Sequence, residues 1–197
     1  FMGSFGFCVG DINYAGPLKP PLHPRRLLDG IIEGVKDGGN KSGVPTTFGQ
    51  TLFESGYMGK SLVFVTALGI MPNTVNNAPS HEKKTAPGDL IIMSGGRVGK
   101  DGIHGVTASS ESFSENTPAG HVQIGDPYTQ KKMHDFLLIC RDEGLICFIT
   151  DNGGGGLSSS VGESAMISNG CEVWLDRVPL KYEGLDMWEI WVSESQE

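Results

Sequence analysis

Gly95-Gly96-Arg97-Val98-Gly99-Lys100-Asp101-Gly102-Ile103-His104-Gly105 follows the apolar run Asp89-Leu90-Ile91-Ile92-Met93, with only Ser94 between them. Five of those eleven residues are glycine, and the run before them has strand character. A strand that breaks into a glycine-rich loop exposes backbone N–H groups without Cβ obstruction, as a phosphate requires. Neither the Walker spacing nor the dinucleotide fingerprint is present. From the loop alone, a tight turn and a phosphate cradle at Gly95, Gly96, Gly99 and Gly102 both stand.

Downstream, Val122-Gln123-Ile124-Gly125-Asp126-Pro127 leads into a helical pattern from Thr129 to Glu143. Its apolar stripe is Met133, Phe136, Leu137 and Cys140; Asp126 and Pro127 supply the start and Gly144 the stop. Leu145–Thr150 reads as a buried strand that delivers Asp151 to its C-terminal edge. Asn152-Gly153-Gly154-Gly155-Gly156 follows, then a second helix over Ser158–Ile167, a strand over Cys171–Leu175 and a short helix or turn over Asp186–Trp191. Strand and helix in alternation predict an α/β layered domain.

Upstream, Ser4–Val9 reads as a strand. Pro24 opens a helix whose Leu27, Leu28, Ile31, Ile32 and Val35 recur at helical spacing, with Gly38-Gly39-Asn40 as its expected end. Val44–Phe48 is a short strand. Ser61–Met71, apolar on both faces, is expected to be central in a sheet. The polar stretch Pro72–Lys84 is the expected connection between two domains, 1–82 and 83–197, and Ser109–Thr117 is expected to be exposed and mobile.

The 197 residues carry a net charge of −8, which argues against a broad nucleic-acid footprint. Cys8, Cys140, Cys147 and Cys171 fit neither a zinc spacing nor a disulfide framework. Buried, reduced thiols in a cytoplasmic protein, with no membrane span and no signal peptide, are the expectation.

Three places could carry chemistry. Asp151, where a strand meets a glycine run, could hold Mg²⁺ against phosphates or could cap a turn. Gln123, in an apolar strand, needs partners for its amide and could find them in a substrate or in backbone. Glu194-Ser195-Gln196 could read a ribose or an amide, or could be an ordinary polar segment. No i,i+4 histidine pair, G-x-S-x-G elbow or Cys-His couple is evident.

Taken together, G-G-R-V-G-K-D-G-I-H-G, V-Q-I-G-D-P, D-N-G-G-G-G-L-S-S-S, V-P-L-x-x-E-G-x-x-x-W-E-I and S-E-S-Q-E fall in the order of one family. The chain resembles the synthetase subunit of phosphoribosylformylglycinamidine synthases, over nearly its whole length. The resemblance implies an aminoimidazole ribonucleotide synthetase-like α/β (α+β) fold, with a sheet-forming N-terminal domain and a layered C-terminal domain. It implies an ATP-dependent ligase of purine biosynthesis that uses Mg²⁺ and ammonia from a glutaminase subunit or domain. The substrate would be formylglycinamide ribonucleotide, converted to its amidine. A homodimer or an internal pseudo-dimer is implied. Carried over by motif, Gln123, Glu194, Ser195 and Gln196 would contact substrate and Asp151 would bind Mg²⁺.

This chain departs from the family pattern. The family's catalytic His, ATP-contacting Lys and further Mg²⁺ carboxylates lie in a segment upstream of the residue matching Phe1. The family chain also continues past S-E-S-Q-E. An interior fragment, inactive alone, is therefore the expectation. Phe48-Gly49-Gln50 stands where Gly-Gly-Glu is usual, and Asn152-Gly153-Gly154-Gly155-Gly156 makes the loop after Asp151 more flexible. The alternatives are another ATP-using member of the superfamily, of selenophosphate synthetase or thiamine-monophosphate kinase type, and a non-catalytic scaffold module.

Overall fold

A computed structural model of the chain describes residues 2–18, 22–108, 110–111 and 125–195. Gln123, Gln196 and most of Ser109–Thr117 lie outside the described residues. The described residues form two compact units, one reaching to Ile70 and the other beginning at Met71.

The first unit is built on β1 (Met2–Val9). It pairs in parallel with β2 (Thr46–Phe53) and antiparallel with β3 (Leu62–Leu68), giving the order β2-β1-β3. Parallel neighbours need a crossover, and α1 (Pro24–Ser42) supplies it. Residues at i, i+2 of a strand share a face. Phe7 and Val9 follow that rule and are buried, Val9 completely.

The Ser61–Met71 strand forms as Leu62–Leu68, but at an edge rather than at the centre. Phe64, Val65 and Leu68 are each more than half exposed. Two apolar faces tell what a strand would bury, not which strand lies between two others. That place falls to β1, which holds a ladder on each side.

Helix α1 also runs past its expected stop. Gly38, Gly39 and Asn40 are helical, and the chain turns only at Gly43, whose φ of +73° is left-handed. Its N–H bonds the Gly39 carbonyl at 2.9 Å. An interior glycine costs about 1 kcal/mol, which weakens a helix without ending it. Lys41–Asp37 and Lys36–Glu33 pairs continue through the region. Pro45 then keeps Val44 out of the helical region.

In the second unit, α2 is a single turn (Gly105–Ala108) and α3 spans Pro127–Asp142. Asp126 caps α3 by accepting from the N–H groups of Tyr128 and Thr129. Gly144, at φ +72°, follows the helix as the expected stop. Helix α4 spans Leu157–Ser168 and ends at left-handed Asn169. Helix α5 (Met187–Val192) opens with a capping box in which Asp186 and Glu189 bond each other's backbone. Val98, Leu157, Val161 and Ile190 form the core, ringed by Met93, Leu175, Val178, Leu180, Leu185 and Trp191.

Three expected strands, at Leu90–Met93, Leu145–Thr150 and Cys171–Leu175, form no ladder among the described residues. Leu90 is 84% exposed and Leu145 is 71% exposed. An apolar run encodes a demand for burial, but a strand exists only where a second run supplies matching N–H and C=O groups. A parallel bridge joins Val98 to Leu180.

Candidate functional site

The glycine loop is held by its own second half and by the residues from Pro179 onward. Val98 donates to the Pro179 carbonyl and accepts from the Lys181 N–H, both at 2.9 Å. The Lys100 N–H donates to the Tyr182 hydroxyl at 3.0 Å. The Lys100 ammonium meets the Glu189 carboxylate at 2.7 Å. The hydrogen bond from Lys100, then the one from the Asp186 N–H, keep Glu189 below the usual carboxylate range.

Beyond α5 the chain leaves the helix and runs back along this loop. The Ser193 hydroxyl donates to the Gly99 carbonyl at 2.5 Å. The Glu194 N–H donates to the Asp101 carbonyl at 3.0 Å. The Ser195 hydroxyl accepts from the Gly99 N–H at 2.9 Å and donates to Asp101 Oδ2 at 2.7 Å. The same carboxylate oxygen receives the Lys181 ammonium at 2.7 Å.

Both side chains of the Asp101–Lys181 pair are only about one-fifth exposed, at 21% and 22%. Burial alone would raise the Asp101 pKa. The hydrogen bonds from Lys181 and Ser195, together with the Lys181 charge, outweigh burial and hold it below the ordinary value. A carboxyl whose pKa is depressed by folding stabilises the fold above its unfolded-state value of about 3.9. That stabilisation is lost as pH falls through the folded value. The stability gap between wild type and Asp101→Asn, read by urea unfolding, is therefore expected to be widest near neutrality. It should shrink below about pH 4; a gap constant with pH would refute it.

A second glycine turn meets the same segment. The carboxylate of Asp151 accepts from the Gly153 N–H at 2.7 Å, which starts the turn. The Gly155 N–H donates to Glu194 Oε1 at 2.8 Å. Gly156, at φ +59° and ψ −138°, begins α4. A Cβ there would stand 1.9 Å from the Ser193 carbonyl oxygen, so only glycine fits. Ser160 locks the turn from inside by donating to Asn152 Oδ1 at 2.6 Å. Glu194 and Ser193 are each only 3% exposed.

Of the residues singled out from sequence, Glu194, Ser195 and Gly99 are brought together. Gly95 and Gly96 lie at the more open start of the loop, and Gly102 is buried at φ +68°. The Gly99 N–H is occupied by Ser195, so it is not a free phosphate donor. Asp151 is exposed, four residues before the N–H that Glu194 binds. Gln123 and Gln196 lie outside the described residues. Sequence reading passed over Asp101, Lys181 and Ser193. The signal for Asp101 was a carboxylate inside an otherwise glycine-rich loop; for Lys181, 80 residues away, there was none.

The C-terminal domain of AIR synthase related proteins matches residues 86–197, and the N-terminal domain of AIR synthase related proteins matches residues 6–71. The chain belongs to the AIR synthase related family. The fold class is the expected α/β. One relative in this family is the phosphoribosylformylglycinamidine synthase subunit PurL of Thermotoga maritima. It is 40% identical over 178 residues, which are 89% of this chain and 29% of that protein. Among solved structures, T. maritima PurL complexed with FGAR matches with a TM-score of 0.72 and 32% identity. That match covers 98% of this chain and 30% of that chain. T. maritima PurL complexed with ATP matches with a TM-score of 0.65 and 31% identity, over 98% of this chain and 28% of that chain. The chain therefore spans about three-tenths of the length of the relatives it matches. No helix among the described residues is long and apolar enough to cross a membrane.

Proposed function

We propose that this chain forms part of an ATP-dependent carbon–nitrogen ligase of purine biosynthesis. The ligase converts formylglycinamide ribonucleotide to its amidine with ammonia released from glutamine. The observation that carries this reading is the convergence of two glycine turns on Glu194–Ser195, inside the segment matched by the C-terminal domain of the family. Likeness to PurL structures holding FGAR and ATP supports the same choice.

In this reading Gln123, Glu194, Ser195 and Gln196 line the ribonucleotide site. The open start of the loop, at Gly95 and Gly96, faces phosphate, while Gly99 and Gly102 shape the turn. Among the described residues no cluster of three or more His, Cys, Asp or Glu side chains could cage a metal ion. In this reading Mg²⁺ arrives on ATP and takes one or two carboxylates from the protein. Asp151, exposed at the head of its turn, is suited to be one of them. When bound, the ion would neutralise charge on the phosphoryl group being transferred. This chain's own contribution is to hold the ribonucleotide and to exclude water from it.

The domain boundary at 82/83 belongs to this proposal and falls between the two matched segments. So do a glutaminase subunit or domain as ammonia source, a cytoplasmic setting, and pairing of the N-terminal sheet with a second copy or an internal repeat. The test is ATP-dependent amidine formation by the natural full-length protein with glutamine or ammonia. Asp151→Asn is expected to raise the Mg²⁺ concentration for half-maximal rate at least tenfold. Wild-type protein that forms no amidine, or an Asp151→Asn variant with unchanged Mg²⁺ dependence, would defeat the corresponding assignment.

A further inference from the structure

We propose that Asp101, paired with Lys181, is a positioning residue that couples the two glycine turns through the Ser193–Ser195 segment. Ser195 then acts as a strap inside the protein and not as a hydrogen-bond donor to the ligand. The inference rests on the nucleotide-site reading above and deepens it.

A serine hydroxyl has one proton to donate and two lone pairs. The Ser195 proton goes to Asp101 Oδ2 at 2.7 Å, and one lone pair takes the Gly99 N–H at 2.9 Å. An ionised carboxylate can only accept, so it fixes the direction of the Ser195 O–H bond. Lys181, donating to the same oxygen at 2.7 Å, keeps that carboxylate ionised and in place. The neighbouring Ser193 proton is directed to the Gly99 carbonyl at 2.5 Å. Neither serine retains a proton for a substrate.

The bonds on either side of Ser195 extend the coupling. The Asp101 carbonyl accepts the Glu194 N–H at 3.0 Å, and the Glu194 carboxylate accepts the Gly155 N–H at 2.8 Å. One carboxylate in the first glycine loop thus sets the backbone whose next side chain holds the second turn. Disturbing Asp101 should loosen residues 151–158 although its hydrogen bonds go to Lys181, Ser193, Glu194 and Ser195.

The test is hydrogen–deuterium exchange on the natural full-length protein, with steady-state kinetics on the same samples. Asp101→Asn is expected to speed exchange at least tenfold in peptides covering 95–105 and also in those covering 151–158. Exchange in α3 should stay unchanged. Ser195→Ala should give the same pattern, and Ser195→Thr, which keeps the hydroxyl, should restore protection. In kinetics, Asp101→Asn and Ser195→Ala should each raise KM for the ribonucleotide about tenfold, with a smaller change in kcat. The double variant should be no worse than the poorer single one.

Faster exchange confined to 95–105, uniform acceleration across the unit, or additive KM effects would overturn the proposal. Should Asp101→Asn not fold, the Ser195→Ala and Ser195→Thr pair decides by the same readouts. A wild-type protein without ligase activity would refute the proposed function and leave the exchange result to judge the strap.

Discussion

Gly156→Ala is expected to be among the most damaging single substitutions in the second unit. The added methyl would lie 1.9 Å from the Ser193 carbonyl oxygen and 2.7 Å from its carbonyl carbon. Both are backbone atoms and cannot swing aside as a flexible side chain could. The φ of +59° with ψ of −138° is also a region that residues with a Cβ avoid. Such strain costs of order 1–3 kcal/mol, and forced overpacking typically adds about 1–3 kcal/mol. A total near 3 kcal/mol or more lowers the melting temperature by roughly 6 °C or more in a domain of this size. Gly38→Ala in α1, where nothing lies within 4 Å of the added methyl, should be neutral or mildly stabilising. Equal melting temperatures for Gly156→Ala and wild type would show that the turn and the strap are not packed as described.

Glu194→Ala should have the larger effect on activity. The residue is 3% exposed and its carboxylate accepts the Gly155 N–H at 2.8 Å. Truncation leaves that amide without its partner, at about 1–3 kcal/mol, and opens a gap under the turn. If the proposed site is correct, the same carboxylate shapes the ribonucleotide pocket, and kcat/KM should fall at least a hundredfold, about 2.7 kcal/mol. Glu194→Gln keeps the shape and an accepting oxygen, so its loss should be intermediate. A Glu194→Ala protein with wild-type kcat/KM would exclude Glu194 from the site and confine its role to the fold.

The parts of this architecture that were legible in the sequence are those set by neighbours. Asp126 announced itself as a cap because Pro127 and an apolar stripe follow it, and it caps α3 through two backbone N–H groups. The short element expected from Asp186 forms as α5, with Asp186 and Glu189 as its capping box. The local signal misled where two devices competed. Gly38-Gly39 looked like an end to α1, but left-handed Gly43 is the one that ends it.

What was not legible depends on partners far along the chain. The run Leu90–Met93 carries strand composition, yet no composition names the strand that would bond to it. At the site, Glu194 and Ser195 stood out as a polar set. Their inward orientation could not be foreseen, because it is imposed by Asp101 and Gly155, 94 and 39 residues away. The glycines of the first loop were open to two readings, a tight turn or a phosphate cradle, and Gly99 uses both its N–H and its carbonyl to hold the serines.

Those serine contacts also bear on when the site can come into being. The Ser193–Gly99 bond closes a span of 94 residues, and the entropy lost in closing a chain grows with its length. Contacts so distant in sequence tend to lock after nearer ones have formed. The two glycine turns are thus clasped only once nearly all of the second unit has emerged and collapsed. A nascent polypeptide that has not yet reached Ser193 would lack this clasp and leave the two turns unjoined.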